Sequence, residues 1–246
     1  MRDYLIFRLY GPMASWGDIA VGEVRPSYTH PSKSAVLGMV AAALRIDRDQ
    51  EEKHRQLAAG YGFAVRVDSM GVPLVDYHTA QVPPSGSGRN RRSFATRREE
   101  LCTLPRDALK TILSRRDYRM DALAAVALWA RAAPPPYSFE EIRSALERPG
   151  YVLYLGRKSC PLALPLEGQL VTAASIGEAF VAARFAELEA LRHLTISGPP
   201  GLYWEDGAEA GLAAHHTFER RDVPLSRRRW QFDTRREHHA PMSEQK

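Results

Sequence analysis

Tyr28, His30 and Lys33 fall within six residues of one another, and Tyr77 stands next to His78. A group that takes a proton, a group that gives one and a cation beside a phosphate are the parts of a metal-independent ribonuclease. The same side chains also stack and hydrogen-bond without catalysing anything. A second set is denser. Arg89, Arg91, Arg92, Arg97 and Arg98 lie within ten residues, with Phe94 between them. Guanidinium groups neutralise phosphates, and each phosphate neutralised adds a salt-dependent increment to affinity. Phe94 can stack on an exposed base, as aromatic side chains do in single-strand binders. The competing reading is a solvated loop. Position favours anion recognition. From His78 to Arg119 there are ten Lys+Arg and four Asp+Glu, a net of +6, against +5 for the whole chain. The remaining residues are therefore close to neutral. A general preference for arginine codons (29 arginines, five lysines) does not gather charge in one segment.

Other chemistries lack their residues. His215–His216 and His238–His239 are adjacent pairs, which cannot both face one ion from a helix or a strand. There is no H-E-x-x-H, no C-x-x-C and no carboxylate cluster at EF-hand spacing, so no metal is expected. The phosphate-binding pattern G-x-x-x-x-G-K-[ST] is absent, GSG at 86–88 precedes no helix signal, and no G-x-S-x-G elbow occurs. No cofactor is expected either.

These side chains need a scaffold. The chain has 246 residues, 44% of them hydrophobic, enough for one large domain or two small ones. No stretch approaches the ~20 apolar residues of a membrane span. The opening MRDYLIFRL is short and broken by Arg8, so no secretory signal is expected. Cys102 and Cys160 are too few for a disulfide framework, and a cytoplasmic protein is expected. Residues 4–9 alternate as a strand, with Leu5, Phe7 and Leu9 on one face. After the turn-rich GPMASWG, Ser32 or Ser34 can cap a helix whose Val36, Leu37, Val40, Ala41 and Leu44 share a face. DRDQEEKHRQL predicts a surface helix ended by Gly60, and Phe63, Val65 and Val67 a second strand. VPLVDYHT predicts a third. It runs into AQVPPSGSGRNRRSFATRREEL, whose prolines and glycines predict a long projecting loop. DALAAVALWA reads as helix by its alanines and as strand by its alternation. Ser138 and Glu141 form a capping box, Pro149 and Gly150 stop that helix, and YVLYL reads as a strand. The order β-α-β, basic excursion, β-α-β is that of the split βαβ, ferredoxin-like fold in the α+β class. Beyond residue 156 the pattern is less regular. A helix is expected over 177–193, capped by Ser175 and Glu178, followed by loops and a frayed basic tail with its histidine pair in solvent.

RLYGPMASWG, PSKSAVLGMVAAAL, FAVRVD, DYHTAQ, SRRDYRMDA with VALW, and YLGRKSCPL occur in that order. Together they resemble the CasD subunit family of the type I-E CRISPR Cascade complex, in the RAMP superfamily. The likeness covers residues 1 to about 165, with RRDVP at 220–224 as a weak match beyond. Six ordered blocks are specific where GPMASWG alone is not. The resemblance implies a ferredoxin-like, RRM-like palm over 1–155, a projecting basic β-hairpin thumb at about 79–117, and a smaller C-terminal region over 156–246. It makes DALAAVALWA the strand returning from the thumb. It implies a non-catalytic subunit that binds the 5′ handle of the CRISPR RNA and caps the Cascade backbone in antiviral defence. Its protein partners would be the neighbouring backbone subunit and the large subunit, with target DNA reached at most indirectly and no membrane. A related type I-C subunit is itself the processing nuclease, so a metal-independent endoribonuclease is the alternative. RNA contacts are expected at Ser32, Lys33 and Ser34, where a helix N-terminus can cradle phosphate. Gly156, Arg157, Lys158 and Ser159 are expected to clamp the backbone after a strand. Trp16 is a stacking surface or core. His78, Arg115 and the thumb residues Arg89, Arg91, Arg92, Phe94, Arg97 and Arg98 complete the set.

Overall fold

Strand β1 (Arg2–Tyr10) is buried on both sides, and its alternation decides which side chains go where. In the computed structural model, which describes residues 1–18, 20, 22–84, 93–186, 189–194 and 199–242, Leu5, Phe7 and Leu9 join one core cluster and Tyr4 and Ile6 another. Strand β9 (Leu123–Ala130) divides the same way. Ala124, Val126 and Leu128 face the first cluster, and Ala125, Ala127 and Trp129 the second. A strand buried on both faces shows no polar alternation, which is why DALAAVALWA was ambiguous as a sequence.

The main sheet has seven strands in the order β10 (Gln169–Ala173), β1, β9, β6 (Tyr61–Ser69), β11 (Gly201–Glu205), β13 (Gln231–Pro241), β12 (His216–Ser226). Every neighbouring pair is antiparallel. Its first four strands have the ferredoxin order, built as β1–α1–β6 and β9–α4–β10. Helices α1 (Lys33–Ala43), α2 (Glu51–Gly60) and α4 (Phe139–Glu147) cover the first cluster, and α5 (Ile176–Ala182) the second. Ser32 caps α1, and Ser138 with Glu141 forms the capping box of α4. Among the described residues no helix is long and apolar enough to cross a membrane.

Four expectations are corrected. YVLYL is not the fourth palm strand. The Gly150 and Tyr151 N–H groups donate to the last carbonyls of α1, at Ala43 and Ala42, and Leu155 closes a tight turn with Cys160. These bonds tie the segment to α1 at one end and to its own turn at the other, and β10 completes the palm instead. The sheet therefore runs unbroken past residue 155. The helix expected over 177–193 stops at Ala182. There the chain turns down onto β1, where Arg8 donates to Ala186 O and packs over the Phe185 ring at 5.3 Å. As far as Met242, the last described residue, the tail is paired rather than frayed, because β13 pairs with both β11 and β12. His238 bonds Asp206 at 2.8 Å and His239 stacks on Tyr203 at 4.5 Å, so that pair is not simply solvated.

The thumb is a ribbon of β7 (Val72–Val82) and β8 (Lys110–Met120), in register from Val72 opposite Met120 to Val82 opposite Lys110. It begins about seven residues before the expected position. Short strands β2 (Met13–Ala14) and β4 (Val24–Arg25) join β8 at its root. Toward the tip lies α3 (Arg97–Cys102).

Candidate nucleic-acid interface

The N-terminus of α1 is occupied from within. Ser32 Oγ accepts from the Ala35 N–H at 3.1 Å, and the Lys33 N–H donates to Asp222 Oδ2 at 2.7 Å. The anion that a helix N-terminus attracts is here a carboxylate of β12. The Lys33 side chain is 1% exposed, and its Nζ donates to both oxygens of Glu205, at 2.8 and 3.1 Å. Lys33 thus presents no charge to a ligand, against expectation, because a buried ammonium needs a partner and β11 supplies it.

The same cluster takes in His30. Arg235 bonds Asp222 at 2.7 and 3.0 Å and Glu237 at 2.6 Å. Glu237 Oε2 lies 3.0 Å from Arg220 Nη1 and 2.9 Å from His30 Nε2. His30 stacks on Tyr203 at 3.8 Å, and the Arg220 guanidinium lies over the Tyr28 ring at 4.2 Å. Three carboxylates, Glu205, Asp222 and Glu237, balance Lys33, Arg220 and Arg235, with no side chain of the six more than 7% exposed. Burial pushes the His30 and Lys33 pKa values down. Burial alone would raise Glu237, but the hydrogen bond to His30 and the charges of Arg220 and Arg235 hold it well below the usual carboxylate range. These residues fasten the C-terminal hairpin β12–β13 to the start of α1.

Above this cluster, between α1, the loop 151–157 and the tip of the β12–β13 hairpin, opens a cavity of about 880 Å³. Of the expected contacts, Ser32, Ser34, Gly156 and Arg157 line it. Gly156 has φ +88°, and a Cβ there would stand 1.8 Å from Ser15 O, so only glycine fits. The Arg157 guanidinium lies over the Tyr118 ring of β8 at 4.7 Å and donates to Arg25 O at 3.1 Å, which ties the glycine loop to the thumb root. Arg25, Arg48, Arg221, Arg227 and Trp230 also line the cavity and were not anticipated. SRRRW at 226–230 mixes arginine with an aromatic residue just as the thumb does. Reading the tail as frayed hid it.

The remaining expected contacts are not gathered at the cavity. Trp16 is buried in the first core cluster, so it offers no stacking surface. Lys158 and Ser159 are exposed on the turn after Arg157. On the thumb, Tyr77 and Arg115 pair on one face of the ribbon, and His78 and Ser114 on the other. Arg115 bonds Asp117 at 3.1 Å. Arg97 bonds Glu100 and the Gln81 carbonyl, Arg98 is exposed, and Phe94 is half-buried. Arg89, Arg91 and Arg92 lie outside the described residues.

Comparison with known proteins places this arrangement. The profile of the CRISPR-associated protein (Cas_Cas5) family matches residues 4–238. The CRISPR system Cascade subunit CasD of Escherichia coli (strain K12) is 34% identical over 177 residues, covering 68% of this chain and 70% of CasD. A chain of a solved CRISPR RNA-guided surveillance complex superposes with a TM-score of 0.62 at 27% identity, over 97% of this chain and 90% of the other. A solved Cas protein superposes at 0.58 with 26% identity, over 97% and 94%. The family pattern runs from inside β1 to inside β13, through palm, thumb and hairpin alike, and this chain belongs to the Cas5 family of CRISPR-associated proteins.

Proposed function

We propose that the chain is a non-catalytic Cascade subunit of the cytoplasm, which binds the 5′ handle of the CRISPR RNA and caps the complex's backbone in antiviral defence. The observation that carries the reading is the arginine-lined cavity. Arg157 Nη1 and Arg227 Nε are buried there without a hydrogen-bond partner among the described residues. A buried donor without an acceptor is costly, and an RNA phosphate supplies acceptors and negative charge together. The thumb extends the positive surface away from the cavity through Arg157 and Tyr118. The likeness to CasD and to the surveillance-complex chain supports the assembly. The ribbon face bearing Val75, Tyr77 and Leu113 is exposed and mixes these apolar side chains with Arg115 and Asp117, a combination suited to a neighbouring subunit.

The geometry favours binding over cleavage. His30 and Lys33, two of the side chains a nuclease would use, are committed to Glu237 and Glu205. Tyr77 and His78 are adjacent on a strand and point to opposite faces, so they do not converge on one phosphate. The test is incubation of the purified chain with labelled repeat RNA, with and without divalent ions. The RNA should be retained and intact in both. A single defined cut that His78→Ala abolishes would establish the nuclease instead.

A further inference from the structure

Arg48, Arg227 and Trp230 meet at the outer end of the cavity. The Arg48 guanidinium lies 5.1 Å from the centre of the Trp230 ring and that of Arg227 lies 6.0 Å from it. No carboxylate among the described residues pairs with either guanidinium. Arg227 donates to the Ser34 carbonyl, and its Nε is buried without a partner. Gly38 makes room for it, since a Cβ there would stand 3.2 Å from Arg227 Nη2. Burial and the neighbouring Arg48 charge bring the Arg227 pKa down to about 10. Two like charges are thus held beside one indole, while the nearby Glu51 carboxylate is taken by the Arg228 N–H. Trp230 is 58% exposed, with φ +58°, a conformation that bulky side chains rarely adopt. Phe232 supports it edge-on at 5.8 Å.

An indole held open beside two unmatched guanidiniums has the parts that recognise one nucleotide: a π-face for the base and cations for its phosphate. We propose that Arg48, Arg227 and Trp230 form a nucleotide subsite, in which one unpaired RNA base stacks on Trp230 and the adjoining phosphate bridges the two arginines. The proposal rests on the cavity being an RNA groove. It adds a contact made by the C-terminal hairpin, separate from the thumb and the glycine loop.

Trp230 is also a reporter. Trp16, Trp129 and Trp204 are buried, so a stacked base should quench the emission of Trp230 alone. The experiment measures anisotropy and tryptophan emission of the full chain with an eight-nucleotide oligouridylate, and with an abasic ribose-phosphate strand of equal charge. Oligouridylate should bind and quench; the abasic strand should bind more weakly and leave the emission unchanged. Trp230→Ala should weaken oligouridylate binding roughly 5- to 150-fold, the span of one base–aromatic stack. Trp230→Phe should keep most of the affinity and abolish the quenching. Arg48→Gln, at an exposed position, should weaken both probes and flatten the log–log salt slope by about 0.7. Arg227→Lys keeps the charge but not the fork, and should weaken oligouridylate binding. Binding without quenching, at wild-type affinity in Trp230→Ala, would overturn the subsite and leave the RNA groove standing. Failure to bind oligouridylate or repeat RNA at all would overturn both.

Discussion

Glu237 sits where two guanidiniums and an imidazole converge, so removing its charge reaches all three. Glu237→Gln keeps the shape and leaves Arg220 and Arg235 with Asp222 as their one remaining carboxylate. Breaking a buried ion pair on one side costs about 3–5 kcal/mol, and urea unfolding should show a loss of that size with an unchanged slope. Acid should act in the same direction. His30 and Glu237 both have folded-state pKa values below their ordinary 6.5 and 4.5. The unfolded chain therefore binds protons first. The stability tied to these groups is full above about pH 6.5, and is lost through His30 and then, below about 4.5, through Glu237. A melting curve that is flat from pH 7 down to pH 4 would contradict this. None of it was legible in the sequence. A serine cap at Ser32 or Ser34 was, because capping is settled within three residues, and Ser32 fills it. Lys33 looked like an exposed cation because its partner, Glu205, lies 172 residues away.

At the scale of elements, local signals located most segments and failed where backbone donors were taken by something distant. The alternation of β1 and β6 and the caps of α1, α4 and α5 lie in short windows. YVLYL has a strand's composition, yet its first N–H joins that of Gly150 in completing α1. The thumb came from the resemblance, on the segment that charge arithmetic had singled out, and its ribbon starts earlier, at Val72, where no charge marks it. If its arginine run holds RNA, Arg89→Ala, Arg91→Ala and Arg92→Ala together should flatten the log–log salt slope for handle RNA by roughly 2. Melting temperature should barely move, since substitutions in a loop such as the sequence predicts there typically fall within about ±0.5 kcal/mol. An unchanged slope would assign the run to a protein partner or to solvent.

For the whole molecule, the palm was legible as an order of strands and helices, and its extension was not. β11, β13 and β12 carry charges that look like surface residues until their partners are known. Glu205, Arg220, Asp222, Arg235 and Glu237 are spread over the last quarter of the chain, and only the folded sheet sets them against His30 and Lys33. The cavity has the same origin. Its walls come from α1, the loop 151–157 and the hairpin tip, and each contributes an arginine or a glycine that means little alone.

The pairing of Lys33 with Glu205 also sets an order of events during synthesis. At ~5–20 residues per second, the 172 residues between them take roughly 9–34 s to make. For that time the nascent palm carries an ammonium at the position of its deepest helix end, with no counter-charge yet translated. Its native burial is deferred until β11 arrives with the hairpin that pairs with it. Pulsed hydrogen exchange on the refolding chain should show the amides at the start of α1 gaining protection together with β12 and β13, and after those of β1, β6 and β9. Early protection of α1 alone would mean that Lys33 is buried without its partner.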